Sequence, residues 1–285
     1  MDHLHQKCLL CDGARLITLE NYRRDFLVKC RACDFVFSQK IPGLQELQEH
    51  YATYKRGGSI SEITIKRYNE LLDGFDNYRK TNHLLDIGCG DGFFLETARQ
   101  RGWKVYGTEY TGNAIAVCES KGIAMHRGPL DPENYEGITF DVITSFEVIE
   151  HINNPQPELK NMKQLLRPGG LLYITTPNFN SVSRYVFGQK WSVIEYPEHL
   201  CYYTSGTLGN FLNKNGFKKI RAETTGLHIG RFRNSLHPNQ NHNADEVIRE
   251  KAESKLIYRY LKMIINGFLR FTSKGDNLKV TYVKK

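Results

Sequence analysis

The stretch Leu84-Leu85-Asp86-Ile87-Gly88-Cys89-Gly90-Asp91-Gly92-Phe93-Phe94 decides how the rest of this chain is read. An apolar run of strand character ends in three alternate glycines, and a run of helical character starts behind them. Glycine has no Cβ, so such a turn is tight and lets a ligand approach the backbone at a helix N-terminus. A nucleotide-like ligand is expected there. Dinucleotide turns follow G-x-G-x-x-G, whereas here the third glycine comes one residue early and Asp86 precedes the first. A carboxylate inside the turn repels a pyrophosphate but accepts hydrogen bonds from a cationic, amino-acid-bearing ligand.

Working outward, strand and helix patterns alternate. Strands are expected at 84–87, 104–109, 124–126, 140–145, 171–175 and 217–224. Helices are expected at 93–101, 113–121, 157–166 and 205–215. Repeated βα units imply a parallel sheet wrapped by helices, an α/β doubly wound fold. A polar loop at 231–243, a helix over 245–271 and a last strand at 278–283 follow. A strand reached this late inserts antiparallel beside its predecessor.

Ahead of this region stand Cys8-Leu9-Leu10-Cys11 and Cys30-Arg31-Ala32-Cys33, a C-x2-C-x18-C-x2-C spacing. Two thiolates three residues apart grip one side of a tetrahedral ion, and a second pair brought by a hairpin closes the other. The spacing is that of zinc sites, and four thiolates leave no open position, so the expected Zn2+ is structural. Short strands are expected at 15–18, 26–29 and 34–37. Residues 42–78 carry helical periodicity broken at Tyr54-Lys55-Arg56-Gly57-Gly58-Ser59, a linker able to fold over a ligand. The division expected is a zinc module at 1–40, a helical connector or lid at 41–80 and an α/β domain at 81–285, with a helical insertion at about 231–275.

Asp86-x-Gly88-x-Gly90-x-Gly92, with Glu109 ending the second strand of the domain, resembles the class I S-adenosylmethionine-dependent methyltransferases. Asp141-Val142-Ile143-Thr144-Ser145-Phe146-Glu147-Val148-Ile149-Glu150-His151 resembles their fourth-strand motif, and Leu166-Arg167-Pro168-Gly169-Gly170-Leu171-Leu172 their fifth-strand entry. The resemblance implies a mostly parallel seven-stranded Rossmann-like sheet and S-adenosylmethionine as cofactor. It implies that Gly88, Gly90 and Gly92 pass under the methionine part of the cofactor and that Asp86 holds its amino group. Glu109 would take the ribose hydroxyls, Leu130 would flank the adenine, and Phe146 and Glu147 would face the sulfonium.

The loop Trp191–Thr204 leaves the carboxyl end of the sheet, where open α/β folds bind ligands, and so forms the expected acceptor wall. Methyl transfer to a hydroxyl needs alignment of donor and acceptor and removal of one proton. His199 has the pKa range for that base, and His151, beside Glu150, is the second candidate. Each also fits a packing role, His199 at the following helix and His151 at the cofactor loop. The Glu-His-Leu-x-x-Tyr run at 198–203 resembles a loop of ubiquinone-type and sugar methyltransferases. A four-cysteine module ahead of such a domain resembles bacterial sugar methyltransferases, although the further C-terminal domain of their C-methylating members is missing after the closing strand here. The expected acceptor is therefore an oxygen of a glycan, a nucleotide sugar or another small hydroxylated metabolite.

The 285 residues are 40% apolar and 25% charged, an ordinary globular composition that excludes disorder and fibres. The N-terminal residues show no secretory pattern, so a cytoplasmic location is expected, with Cys89, Cys118 and Cys201 as reduced thiols. Of the net charge of +8, the segment 218–285 carries 15 Lys and Arg against 6 Asp and Glu. That basicity keeps an alternative in view, an RNA methyltransferase or nucleic-acid-binding protein gripping phosphates with zinc module and tail. Against nucleic acid as acceptor, Phe146-Glu147-Val148-Ile149 lacks the Asn/Asp-Pro-Pro-aromatic run of base-amino methyltransferases. A non-catalytic cofactor-binding scaffold is the third reading. In the 245–271 helix, Ile257, Tyr260, Leu261, Ile264, Ile265 and Phe268 make one apolar face, which suits packing on its own domain, on a second subunit, or peripherally on a membrane. The oligomeric state is not encoded legibly.

Overall fold

A computed structural model describes residues 3–52, 60–226 and 256–285. The expected linker at 54–59, the polar loop at 231–243 and the first part of the C-terminal helix lie outside the described residues.

The N-terminal strands are β1 (Leu16–Thr18), β2 (Leu27–Cys30) and β3 (Val36–Ser38), followed by helices α1 (Leu44–Ala52) and α2 (Glu62–Phe75). Next come β4 (His83–Ile87), α3 (Phe93–Gln100), β5 (Lys104–Glu109), α4 (Gly112–Ser120), β6 (Ala124–Arg127) and β7 (Phe140–Phe146). The chain continues through α5 (Pro155–Leu165), β8 (Leu166–Pro177), α6 (Val182–Phe187), β9 (Cys201–Tyr202), α7 (Ser205–Lys214) and β10 (Phe217–Thr225). It closes with α8 (Leu256–Thr272) and β11 (Asn277–Lys284).

The main sheet has seven strands in the order β10-β11-β8-β7-β4-β5-β6. Strands β8, β7, β4, β5 and β6 are parallel, and β11 is antiparallel to both β8 and β10. The chain runs outward from β4 to β6 on one side and from β7 to β8 on the other, so the order reverses between β4 and β7. At such a switch point the loops diverge and leave a crevice at the carboxyl ends of the strands.

Alternating side chains fill both faces of the sheet, as a doubly covered sheet requires. Leu84, Val142, Leu171 and Tyr173 pack under Leu72 and Phe75 of α2 and Phe94 and Leu95 of α3. On the opposite face Leu85, Ile87, Ile143, Leu172, Val280 and Tyr282 form a core that continues into Cys8, Phe35 and Phe37 of the N-terminal module. The module is joined to the sheet domain by more than core contact. Its antiparallel sheet has the order β1-β2-β3-β9, and β9 comes from the loop expected to form the acceptor wall. That pairing has no local signal in sequence, because Cys201-Tyr202 is too short to register as a strand.

The described part of the apolar face named in the sequence, Ile264, Ile265 and Phe268, does not pack on the chain's own domain. Phe268 is 65% exposed and Ile264 is also exposed, whereas Leu269 is 3% exposed and packs at β10, where its carbonyl accepts from the Thr224 hydroxyl. Six of the nine residues at 263–271 are apolar and lie on more than one stripe, so periodicity alone does not say which stripe meets the sheet.

Candidate functional site

The site starts at the glycine turn. Gly88, Gly90 and Gly92 all have positive φ, at 66°, 55° and 72°. At Gly88 a Cβ would lie 2.6 Å from Val148 Cγ2, and at Gly92 one would lie 2.6 Å from Cys118 Sγ. Backbone conformation and close approach thus both demand glycine there.

Asp86 sits near the end of β4, buried, and its Oδ1 accepts from the Thr144 hydroxyl of β7 at 2.7 Å. Burial, opposed by that hydroxyl and reinforced by the charge of Glu109, raises its carboxyl to about 8. A buried acid held this high favours a cationic partner that would let it ionise. Glu109 ends β5, also buried. Its carboxylate accepts from the amides of Gly90 at 3.1 Å, Tyr110 at 2.8 Å and Thr111 at 3.1 Å. The glycine turn is thereby tied to the acid expected at the ribose.

Phe146 ends β7 half-buried, edge-on to Phe94 at 4.9 Å and tilted to Tyr173 at 5.5 Å. Glu147 has φ of +53°, a left-handed conformation uncommon for a side-chain-bearing residue, and its amide donates to the Thr175 carbonyl at 3.0 Å. Leu130 is 2% exposed and belongs to the core below the sheet, with its carbonyl held by Asn161 Nδ2 at 2.8 Å. Its buried side chain offers an adenine ring little surface.

The two histidines, separate candidates in sequence, come together. Their ring centroids lie 4.8 Å apart. His151 Nδ1 is 2.8 Å from the Glu198 carbonyl and His199 Nδ1 is 2.7 Å from the Val193 carbonyl. A carbonyl only accepts, so each Nδ1 carries the hydrogen and each neutral ring has its basic lone pair on Nε2. Burial lowers the pKa of His151, against the opposing pull of the Glu198 and Glu147 carboxylates, which favours its neutral form.

Sequence reasoning left Glu150 out of the site. It is buried, accepts from the Thr176 hydroxyl at 3.0 Å, and lies with His151 and His199 in a cluster whose side-chain atoms fall within 4.8 Å of one another. Its adjacency to His151 was the only available signal. His50 of α1 adds an ion-pair contact to Glu198 at 3.4 Å, which ties the connector helix to the histidine loop.

The four cysteines of the module form one group. Cys8 Sγ lies 3.5 Å from Cys33 Sγ, Cys11 Sγ lies 3.6 Å from Cys30 Sγ, and all four sulfurs fall within 4.8 Å of one another. A tetrahedral zinc with Zn–S near 2.3 Å sets sulfur spacings of about 3.8 Å, so the group fits that ion. The Ala32 amide points at Cys30 Sγ at 3.3 Å, as an outer hydrogen bond to a thiolate ligand does.

A seven-stranded sheet with an antiparallel closing strand, a glycine turn and two strand-end acids is the architecture of Rossmann-like methyltransferases. Residues 61–222 match the family model described as a methyltransferase domain, and the chain belongs to that family. It is 34% identical over 107 residues to a ubiquinone biosynthesis O-methyltransferase of Coxiella burnetii, covering 35% of this chain and 46% of that one. It is 34% identical over 205 residues to the mitochondrial ubiquinone biosynthesis O-methyltransferase of Rattus norvegicus, covering 61% and 56%. The chain thus spans about half the length of the curated relatives it matches. Among solved structures, a SAM-dependent methyltransferase from Archaeoglobus fulgidus aligns with TM-score 0.51 and 19% identity over 85% of this chain and all of that one. The plantazolicin methyltransferase BamL, in complex with a triazolic desmethylPZN analog and SAH, aligns with TM-score 0.50 and 17% identity over 78% and 86%. At these identities the solved structures speak for the fold. Among the described residues, no helix is long and apolar enough to cross a membrane.

Proposed function

We propose that this protein transfers the methyl group of S-adenosylmethionine to a hydroxyl oxygen of a small metabolite, and that the His151–His199 pair takes the hydroxyl proton. The observation that carries this reading is the pair itself: two imidazoles 4.8 Å apart, both with Nδ1 engaged by a backbone carbonyl, beside the carboxyl end of β7. The cofactor supplies an electrophilic methyl group. Asp86 receives its ammonium group, Glu109 its ribose hydroxyls, and Gly88, Gly90 and Gly92 let it lie against the backbone. Phe146 walls the reacting side, and Glu147 turns the chain there. One histidine Nε2 accepts the acceptor's proton while the second imidazole and Glu150 spread the resulting charge.

The O-methyltransferase names of the curated relatives support oxygen as the target. Glycans, nucleotide sugars and other hydroxylated metabolites are the acceptor classes in this reading. Residues 1–40 hold a structural Zn2+ through Cys8, Cys11, Cys30 and Cys33 and brace the histidine loop through the β3–β9 pairing. Helices α1 and α2, the described parts of the connector at 41–80, cover the site.

The test is incubation with methyl-labelled S-adenosylmethionine and a fractionated cell extract. Label in low-molecular-weight hydroxylated compounds or glycans is the expected result. Label in RNA or DNA overturns the acceptor class, and calorimetry showing no binding of S-adenosylhomocysteine overturns the reading altogether.

A further inference from the structure

Three of the seven cysteines lie outside the four-cysteine group, and two of those three meet under the glycine turn. Cys89 stands inside the turn, between Gly88 and Gly90, and Cys118 stands in α4. Both are free thiols, with their Sγ atoms 3.9 Å apart. The third, Cys201, is buried in β9 and donates to the Ile152 carbonyl at 3.2 Å.

Two glycines make room for this pair. A Cβ at Gly92 would lie 2.6 Å from Cys118 Sγ, and a Cβ at Gly107 of β5 would lie 2.7 Å from Cys89 Sγ and 2.8 Å from Met125 Sδ. Gly107 lacks a positive φ, so it is the seat of the sulfurs and not the backbone conformation that demands glycine in this strand. Both thiols also reach one acceptor, the Gly90 carbonyl, Cys118 at 3.3 Å and Cys89 at 3.8 Å. The amide of Gly90 donates to Glu109 at 3.1 Å, so a single residue joins the sulfur pair to the acid proposed at the ribose.

Exposure and ionisation divide the two roles an oxidation needs. Cys89 is half-buried, whereas Cys118 is fully buried, so an oxidant meets Cys89 first. A hydrogen bond from Cys89 lowers the pKa of Cys118, opposed by burial and helped by the Lys121 ammonium. Cys118 is then the sulfur that attacks once Cys89 has been oxidised.

We infer that Cys89 and Cys118 form a site of reversible oxidation, closed to a disulfide by a peroxide, and that closure weakens the hold of the glycine turn on the cofactor. The Cys89 sulfur takes one oxygen of the peroxide as a sulfenic acid while the other leaves as water. The Cys118 sulfur then displaces the bound oxygen as a second water, and the two thiol protons leave with the two waters. The sulfurs lose two electrons and the peroxide gains them. Closure brings the sulfurs from 3.9 Å to about 2.05 Å, which draws the turn toward α4. It also removes both thiol hydrogens from the Gly90 carbonyl, the peptide neighbour of the amide that holds Glu109. The effect on the cofactor rests on the methyltransferase reading, whereas the bond itself does not.

The test treats the full chain, prepared with zinc present, with hydrogen peroxide and maps its peptides by mass spectrometry without reduction. A Cys89–Cys118 cross-linked peptide should appear, the affinity for S-adenosylhomocysteine should fall at least tenfold, and dithiothreitol should restore it to within about twofold. Cys118→Ala should bind S-adenosylhomocysteine within about threefold of the parent and keep that affinity after peroxide. Coupling is reciprocal, so in a glutathione redox buffer saturating S-adenosylhomocysteine should favour the dithiol by the same tenfold, a rise of about 30 mV in the pair's midpoint potential. Absence of the cross-linked peptide, or Cys89 joined to another cysteine, overturns the site. A cross-link that leaves the affinity unchanged overturns its coupling to the cofactor. Failure of the reduced chain to bind S-adenosylhomocysteine is a separate result, which overturns the methyltransferase reading while the peptide map still decides the cross-link.

Discussion

The amide of Ser38 donates to the carbonyl of Leu200 at 2.7 Å, one residue beyond His199. The Leu200 amide in turn donates to the Glu150 carbonyl at 2.8 Å, so one short segment is stitched to the four-cysteine module on one side and to the His151 turn on the other. The module therefore braces the loop that carries His199.

That brace makes metal loading matter for turnover and little for cofactor binding. Cys30→Ser should lower the zinc content measured by elemental analysis and reduce methyl transfer at least tenfold. The affinity for S-adenosylhomocysteine should stay within about threefold, because the glycine turn lies on the other side of the sheet's switch point. Parallel loss of both properties would mean that the module supports the whole fold.

In the proposed site, Asp86 would set the pH dependence of cofactor binding. Its carboxyl titrates at about 8 in the free protein, well above the ordinary carboxylate range, and a bound ammonium group would favour the ionised form. Binding therefore releases a proton below that pH, and the affinity for S-adenosylhomocysteine should rise about tenfold per pH unit between pH 6 and 8, then level off. Stability runs the other way. A raised acid pKa favours folding while the group stays protonated, and this contribution is lost as pH rises through about 8, so the free protein should melt lower at pH 9 than at pH 6 from this group. Calorimetry in two buffers of different ionisation enthalpy measures the released proton. Asp86→Asn should abolish the pH slope and weaken binding severely.

Removing either imidazole tests the proposed base. His199→Ala and His151→Ala should each lower kcat by roughly 10²- to 10⁴-fold, with S-adenosylhomocysteine affinity unchanged. Because the rings are 4.8 Å apart and act on one proton, the double variant should lose much less than the product of the single losses. Full additivity would show that the two act independently.

Gly88 is held by both conformation and contact. Gly88→Ala puts a Cβ at positive φ and 2.6 Å from Val148 Cγ2, and should cost about 1–3 kcal/mol in denaturant unfolding while weakening cofactor binding. Adding Val148→Ala should recover the steric part of the loss and leave the conformational part.

The C-terminal helix separates a packed residue from an exposed one. Leu269→Ala should destabilise by about 2–5 kcal/mol, the cost of a buried leucine. Phe268→Ala, one position earlier, should fall within about 0.5 kcal/mol of the parent. The reverse order would mean that Phe268 and not Leu269 packs on the sheet.

Much of the fold was written locally. The glycine turn, the acids at strand ends and the alternation of strand and helix periods each depend on neighbours a few residues away, so Asp86, Gly88, Gly90, Gly92 and Glu109 could be named from spacing and resemblance, and the C-x2-C pairs from their own arithmetic. What needed the tertiary structure was every relationship between distant segments that no local pattern encodes. The meeting of His151 with His199, the recruitment of Glu150, the pairing of β3 with the two-residue strand β9 and the choice of Leu269 over Phe268 all arise this way. Sheet register and helix packing bring together residues tens to more than a hundred positions apart, and those placements are set by the burial of both sheet faces at once, a property of the whole chain.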